Sequence, residues 1–447
     1  MSFVFRTRSF SAMIRSMSIR KIAQWTLYGA AIVMPFIFSY FFLADGVDGK
    51  VIYLRGAAFL TVLLLTVMLV RGGKEGEAVL SKIQRFKKDP VAIMLGISMI
   101  LLILSTVLAY DRTIAFLGEP QRAEGFLTLF SASVLFVSFR LLFEKKEWRK
   151  FFTMFSWAGI ILFIIGFFQA ISGTARPDAL SGNPTFLAAY FAFVLFAGLV
   201  LLVAGRKEHS GSYRMLGGSA SVAAVLGIFL TGTRGNILGL FLSVFVAAIA
   251  ALIYGKDAVI GKHTCRKIGA VILGLSLLFG GVLVATRHAA VWQHVPGVDR
   301  LVQISAADKT TGSRLLYAKE SFTYFWSDGG PKRVLLGWGW DNYTFFWRSH
   351  YDPHIYYYDP TIADRSHNKF IDMLVMTGVL GLGAYLTLWF FFLRRIVRML
   401  RQDFLQALPF VLFVPVYFSG IFFAFDTAVT LALFGMLLAY SSHLLYD

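Results

Sequence analysis

His367 stands in Asp364-Arg365-Ser366-His367-Asn368, at the mouth of an apolar run, and Gly378 follows it eleven residues later. Eleven residues are about three turns of α-helix, so the spacing predicts that both lie on one helix face with the imidazole at the entrance. Imidazole has an ordinary pKa of about 6.5, which suits proton transfer near neutrality. The competing role at this place is a helix cap. Arg234 is the second chemical group, in Leu230-Thr231-Gly232-Thr233-Arg234-Gly235-Asn236, where two apolar runs meet with almost no loop. An arginine so close to hydrocarbon is costly unless it is paired or faces a polar cavity, and its planar fork suits bidentate recognition of phosphate. Two further clusters, Pro120-Gln121-Arg122-Ala123-Glu124-Gly125 and Ser181-Gly182-Asn183-Pro184, bring Arg122 and Asn183 to the starts of apolar runs.

The elements that must position these groups are membrane helices. Of 447 residues, 57% are hydrophobic and 15% charged, with a mean hydropathy of +0.67, which excludes a soluble globular domain of this size. The expected fold is an all-α polytopic membrane protein. Twelve stretches are long enough to cross a ~30 Å hydrocarbon core, near 22–43, 51–70, 91–110, 126–143, 151–171, 184–204, 215–232, 236–254, 268–286, 368–393, 404–424 and 428–446. Basic residues gather in alternate connections: Arg6 to Lys21, Arg71 to Lys88, Lys145 to Lys150, Arg206 to Arg214, Lys256 to Lys267 and Arg394 to Arg401. By the positive-inside rule both termini are cytoplasmic, and Arg122, Arg234, Arg314 and His367 all emerge on the external face. The net charge of +18 is therefore a topology signal with a secondary attraction to anionic lipid, and it implies no nucleic acid. Residues 1–21 are expected as a basic interfacial helix and not as a cleaved signal peptide. Residues 22–286 would hold nine spans, 287–367 a large external loop domain and 368–447 three more spans.

The basic loops are short and contain no glycine-rich phosphate cradle, which leaves no home for nucleotide chemistry. The segment 287–367 differs. It holds four of the eight histidines before His367, nearly balanced charges, and fourteen aromatic residues between Phe322 and Tyr358. Aromatic faces stack on sugar rings and also anchor proteins at headgroups. Within it Trp338, Trp340, Asn342 and His350 are candidate substrate-binding residues. The single cysteine, Cys265, excludes an internal disulfide, so packing and hydrogen bonds must order this segment. Converging cations and a candidate base at the outer leaflet point to an anionic lipid-linked substrate such as a diphosphate.

Three stretches resemble the bacterial O-antigen ligase and O-antigen polymerase superfamily. Thr231-Gly232-Thr233-Arg234-Gly235-Asn236 is similar to its small-polar-Arg-Gly element. Leu336-Gly337-Trp338-Gly339-Trp340-Asp341-Asn342-Tyr343 is similar to its Gly-x-Gly-x-x-x-aromatic element, and His367 with Gly378 to its His-x10-Gly pattern. The resemblance implies a GT-C-like fold with a periplasmic loop between spans nine and ten, in a bacterial inner membrane. It also implies transfer of a glycan from undecaprenyl diphosphate to an acceptor sugar hydroxyl, with no metal or other cofactor. His367 would be the base, and Arg234 and Arg314 would bind the diphosphate. Arg314 lies in Arg314-Leu315-Leu316-Tyr317-Ala318, where Ala318 replaces the leucine of an Arg-x3-Leu element. Arg122 and Asn183 take a supporting role. The expected partners are the carrier-linked glycan, an acceptor glycolipid or glycan and membrane lipid, with the enzyme a monomer. Ligase is preferred over polymerase, which shares the chemistry but uses a carrier-linked acceptor. A lipid-linked glycan transporter is the alternative of another class, and a metal-dependent glycosyltransferase using Asp45 and Asp48 is a third.

Overall fold

The computed structural model describes residues 18–37, 48–120, 122–295, 297–304, 308–360 and 363–446. The chain runs through α1 (Ile19–Ile32), α2 (Asp48–Arg71), α3 (Gly73–Phe86), α4 (Pro90–Val107), α5 (Arg112–Leu117), α6 (Phe126–Leu142) and α7 (Lys145–Ile171). Next come α8 (Pro184–Lys207), α9 (Gly211–Thr231), α10 (Arg234–Tyr254) and α11 (Cys265–Ala285). The segment before the last spans holds α12 (Val298–Val302), α13 (Lys309–Asp328), α14 (Gly330–Leu336), α15 (Tyr343–Ser349) and α16 (Ile355–Tyr358). The chain ends in α17 (Lys369–Gln402), α18 (Phe404–Phe422) and α19 (Ala428–Tyr446). Among the described residues ten helices are long and apolar enough to cross a bilayer, and α6 is a shorter apolar helix of 17 residues. The protein is an all-α polytopic membrane protein.

Three boundaries depart from expectation for local reasons. Proline has no N–H and clashes with the preceding turn, so Pro35 stops α1 at Ile32 and leaves a 3-10 turn at Met34–Phe36. The expected interfacial helix over 1–21 lies outside the described residues up to Met17, and Ser18 already caps α1. Glu144 and Glu147 form a reciprocal capping box, so α7 begins at Lys145 and not near 151. The basic stretch after α2 is itself helical: Val79, Ile83 and Phe86 recur at helical spacing and pack on the bundle, with Lys74 and Arg85 exposed on the other face.

The spans α8, α18 and α19 are the most enclosed, whereas α11 lies almost wholly on the outside. Along the core, α8 packs on α9 and α18, α6 on α19, and α10 on α18. Buried aromatics interlock between them, such as Phe196 with Phe410 at 4.8 Å and Phe152 with Tyr440 at 4.8 Å between ring centres. At the basic end, Asp89 caps α4 and pairs with Arg395 of α17, and Ser442 Oγ donates to Asp89 at 2.5 Å.

The loop segment docks on a break in α17. Gly378 has φ 69° and ψ −174°, so α17 is two helical pieces. The break frees carbonyls inside the membrane, which must find donors. Trp338 N donates to Val375 O at 2.9 Å and Gly339 N to Met376 O at 3.0 Å, while Ser105 Oγ also reaches Met376 O at 2.9 Å. Contact is close enough that a Cβ on Gly378 would lie 2.3 Å from Leu335 O. The expectation that His367 and Gly378 share a continuous helix face is therefore corrected. His367 precedes α17 with φ 56°, and Gly378 faces α14. Gly378→Ala should cost ~2 kcal/mol or more from the left-handed conformation and the backbone clash together. An unfolding midpoint unchanged from the native protein would refute this. Around the dock, Tyr317, Phe325, Trp340, Tyr343, Phe346 and Trp347 form a second core with Leu374, Val375 and Met376 of α17.

Candidate functional site

Arg234 is the first residue of α10, one turn from the end of α9, where Gly232 adopts φ 60° and ψ 27°. Small residues press this helix start against α18: Ser419 Oγ donates to Gly235 O at 2.7 Å, and a Cβ on Gly239 would meet Val416 Cα at 2.6 Å. The Arg234 guanidinium is thus held at the rim. One of its nitrogens lies 2.6 Å from Asp308 Oδ2, and its Nε is buried with no partner among the described residues. Asp308 also caps α13, accepting from Thr311 N at 3.1 Å. Burial acts to raise its carboxyl pKa, but hydrogen bonds from Arg234 and Thr311 carry it below the usual range.

One face of α13 continues the site, since Thr311, Arg314, Leu315 and Ala318 recur at helical spacing and line one cavity. Ala318, where leucine was expected, leaves room there. Among the described residues no carboxylate lies within ion-pair distance of Arg314. Two arginines that sequence reasoning passed over approach from outside the cavity: Arg176 Nε donates to Thr231 O at 3.2 Å and Arg300 to Gly232 O at 3.0 Å. Their only signal was isolated positive charge on the expected external side. Burial, then repulsion from Arg234, Arg176 and Arg300, lowers Arg314 to about 10.

His367 completes the cavity from the third segment. Asn368 caps α17, its Oδ1 accepting from Phe370 N at 2.9 Å and Ile371 N at 3.2 Å. The capping role thus falls to Asn368, and the imidazole is released from it. The residue before is also pinned: Ser366 N and Oγ both donate to Asp372 Oδ1 at 2.7 Å. Between two anchored neighbours His367 keeps a left-handed backbone, a strained conformation that clusters at functional sites. Its ring lies between Phe425 at 5.6 Å and Tyr317 at 6.1 Å, and no hydrogen bond fixes either nitrogen among the described residues. Asp372 and Ser366 carried no sequence signal beyond their nearness to His367.

The cavity measures about 220 Å³ and is lined by Arg234, Arg314, His367 and Asn368, with Leu238, Phe422 and Phe423 on an apolar wall. Burial and the nearby Arg314 lower His367 to about 4, against the pull of Asp364. The imidazole is therefore neutral, able to accept a proton, throughout the physiological range. It is a weaker base than its ordinary pKa implies. Removing a cation that disfavours its protonation should move the pKa upward, so Arg314→Gln should shift the acid limb of kcat/KM to higher pH. A limb at the same pH in both proteins would show that Arg314 does not act on His367.

The other six candidates do not line this cavity. Arg122 pairs with Asp364 and lies 4.3 Å over the Phe425 ring that contacts His367, one layer back. Asn183 caps α8 through Thr185 N at 2.8 Å. Asn342 is fully buried and bonds Asp111 N at 2.8 Å and Asp111 O at 3.1 Å. His350 bonds Asp328 at 2.9 Å and Phe346 O at 2.8 Å. Trp338 lies under Arg333, 5.1 Å from its ring centre. Trp340 donates to Glu124 O at 2.7 Å and lines a separate cavity of about 120 Å³ on another side of α17, with the Lys369–Asp426 pair at 3.2 Å. Arg365 is buried between Asp341 and Glu124. Among the described residues no three His, Cys, Asp or Glu side chains are grouped to hold a metal ion. Asp45 and the side chain of Asp48 lie outside what is described.

A family model described as O-antigen ligase matches residues 219–386, a stretch that contains Arg234, Arg314 and His367. No curated protein matches the chain.

Proposed function

We propose that this multi-pass inner-membrane protein, whose residues 219–386 match a family model described as O-antigen ligase, moves a glycan from undecaprenyl diphosphate to an acceptor sugar hydroxyl at the external face, without a metal ion. The observation that carries the reading is that Arg234, Arg314 and His367, from three separate segments, line one cavity with an apolar wall. Two fixed guanidiniums suit a diphosphate, and the wall suits the first units of its lipid. At about 220 Å³ the space holds the reacting centre and not the whole glycan.

In this reading the acceptor oxygen attacks the anomeric carbon, whose bond to the diphosphate oxygen breaks, and the electron pair leaves on the diphosphate. His367 takes the hydroxyl proton. Arg234 and Arg314 stabilise the charge that grows on the leaving group, which is where fixed cations lower a barrier. The bound diphosphate also offsets the arginines that depress His367, so the substrate itself strengthens the base. Consequently the acid limb of kcat should lie above that of kcat/KM, since the first reports the complex and the second the free enzyme.

The reading is tested by incubating purified protein in EDTA with a diphosphate-linked glycan and candidate acceptors. Glycosylated acceptor and free undecaprenyl diphosphate are expected. Movement of intact donor across a bilayer without cleavage would indicate a transporter, and loss of transfer in EDTA would restore a metal. Product on a core glycolipid marks a ligase, and elongated carrier-linked glycan marks a polymerase. Arg234→Ala should raise KM for the donor and lower kcat, and Arg234→Lys should recover little because the fork is lost. Full recovery by lysine would reduce Arg234 to a point charge.

A further inference from the structure

At the basic end of the bundle, away from His367, a cleft of about 440 Å³ opens between the ends of α7, α8, α18 and α19. Lys145, Trp148 and Arg149 enter it from α7, Lys207 and Glu208 from the end of α8, and Gln406 from α18. Val200 and Leu444 supply an apolar wall. A second basin of about 590 Å³ shares Lys145, Arg149 and Glu208 with it and adds Lys146 and Lys150. Glu208 Oε1 is 3.2 Å from both Lys145 Nζ and Arg149, and Lys207 Nζ is 2.5 Å from Asp403. Five cations thus face two carboxylates.

The decisive feature is a pair of donors left unused. Trp148 is 2% exposed and its indole N–H has no acceptor, and the Nε–H of Arg149 is likewise buried without one among the described residues. A buried donor left unmade costs ~1–3 kcal/mol. Both belong to adjacent residues that line the same positively charged cleft, so one anion can satisfy them together. We propose that this cleft binds the phosphodiester headgroup of an anionic phospholipid, its phosphate taking the Trp148 and Arg149 donors and its chains lying along the Val200 and Leu444 wall.

A free phosphate ion fits the charge but leaves most of the cleft empty and the apolar wall unused. The excess of basic residues assigns this end to the cytoplasmic leaflet, the anionic one. A lipid seated there joins the ends of four spans, three of which are the most enclosed in the bundle. The proposal does not depend on the transferase reading.

The test uses delipidated full-length protein in detergent, to which phosphatidylglycerol, phosphatidylcholine or inorganic phosphate is added, with bound lipid counted by native mass spectrometry and the unfolding midpoint followed. Phosphatidylglycerol should bind and raise the midpoint, and the other two should not. Trp148→Phe keeps an aromatic ring in the core and removes the donor with the five-membered half of the indole, so the unfolding midpoint without lipid is its control, and Arg149→Gln removes the charge. Each should weaken phosphatidylglycerol binding by about ten-fold, the worth of one charge-assisted hydrogen bond. Equal binding of the two lipids, native affinity in both variants, or a full shift with phosphate alone would each overturn the lipid assignment.

Discussion

His367→Ala should lower kcat for glycan transfer by about 10²–10⁴-fold, the usual contribution of a positioned general base, while donor KM changes little. The ring makes no hydrogen bond that the fold relies on among the described residues, because Asn368 caps α17 and Asp372 holds Ser366. Losing the imidazole therefore removes a proton acceptor and leaves the helix entrance intact. Relief of the left-handed strain is not expected from alanine, which disfavours φ 56° as well. The measurement is single-turnover transfer beside an unfolding curve in the same detergent. Transfer at the native rate would remove His367 from the mechanism, and a collapse of the unfolding midpoint would make its role structural. Loss of turnover at an unchanged midpoint separates catalysis from folding.

Arg365→Ala should destabilise the fold by ~3–5 kcal/mol, the cost of breaking a buried ion pair from one side. Its guanidinium lies between Asp341 and Glu124, and all three side chains are almost fully buried. Burial disfavours the charge on Arg365, but the two carboxylates more than compensate and hold its pKa above the ordinary value. Without it, both carboxylates would be buried against each other. The loss should depend on pH. Burial already lifts Glu124 from 4.5 to about 7, although Arg365 opposes this. A raised folded pKa means that stability present below the unfolded value is lost as pH rises through the folded one. In the variant Glu124 loses its main counter-charge, so destabilisation should ease on acidification and be fullest above neutrality. No loss would show that the pair contributes no net stability, and a loss that does not vary with pH would show that the charge on Glu124 is not its source. Because Arg365 is two residues from His367 and Glu124 also accepts from Ala428 N at 3.0 Å, this network fixes the histidine segment to the start of α19.

Much of this was legible along the chain. Crossing a bilayer depends on length and local apolarity, which add residue by residue, so the spans could be read without knowing their neighbours. Arg234 announced itself for the same reason, since a guanidinium at a hydrocarbon boundary is anomalous in sequence alone. What the chain could not show is anything settled between distant segments. The break at Gly378 is stable because Trp338 and Gly339 supply its missing donors, and the 37 residues that separate each donor from its acceptor hide that pairing from any local pattern. Trp340, Asn342 and His350 looked like sugar contacts because polar and aromatic side chains on a loop resemble a binding surface until their buried partners are seen. Arg176 and Arg300 were ordinary loop charges until folding brought them to the end of α9. The base itself shows the division most plainly. Sequence determined that a histidine stands at a helix entrance in an otherwise apolar membrane chain. Tertiary structure decided that Asn368 takes the cap, that Arg234 and Arg314 share its cavity, and that burial beside Arg314 keeps it neutral, because a pKa is set by everything within reach of a charge and not by the residues next to it in the chain.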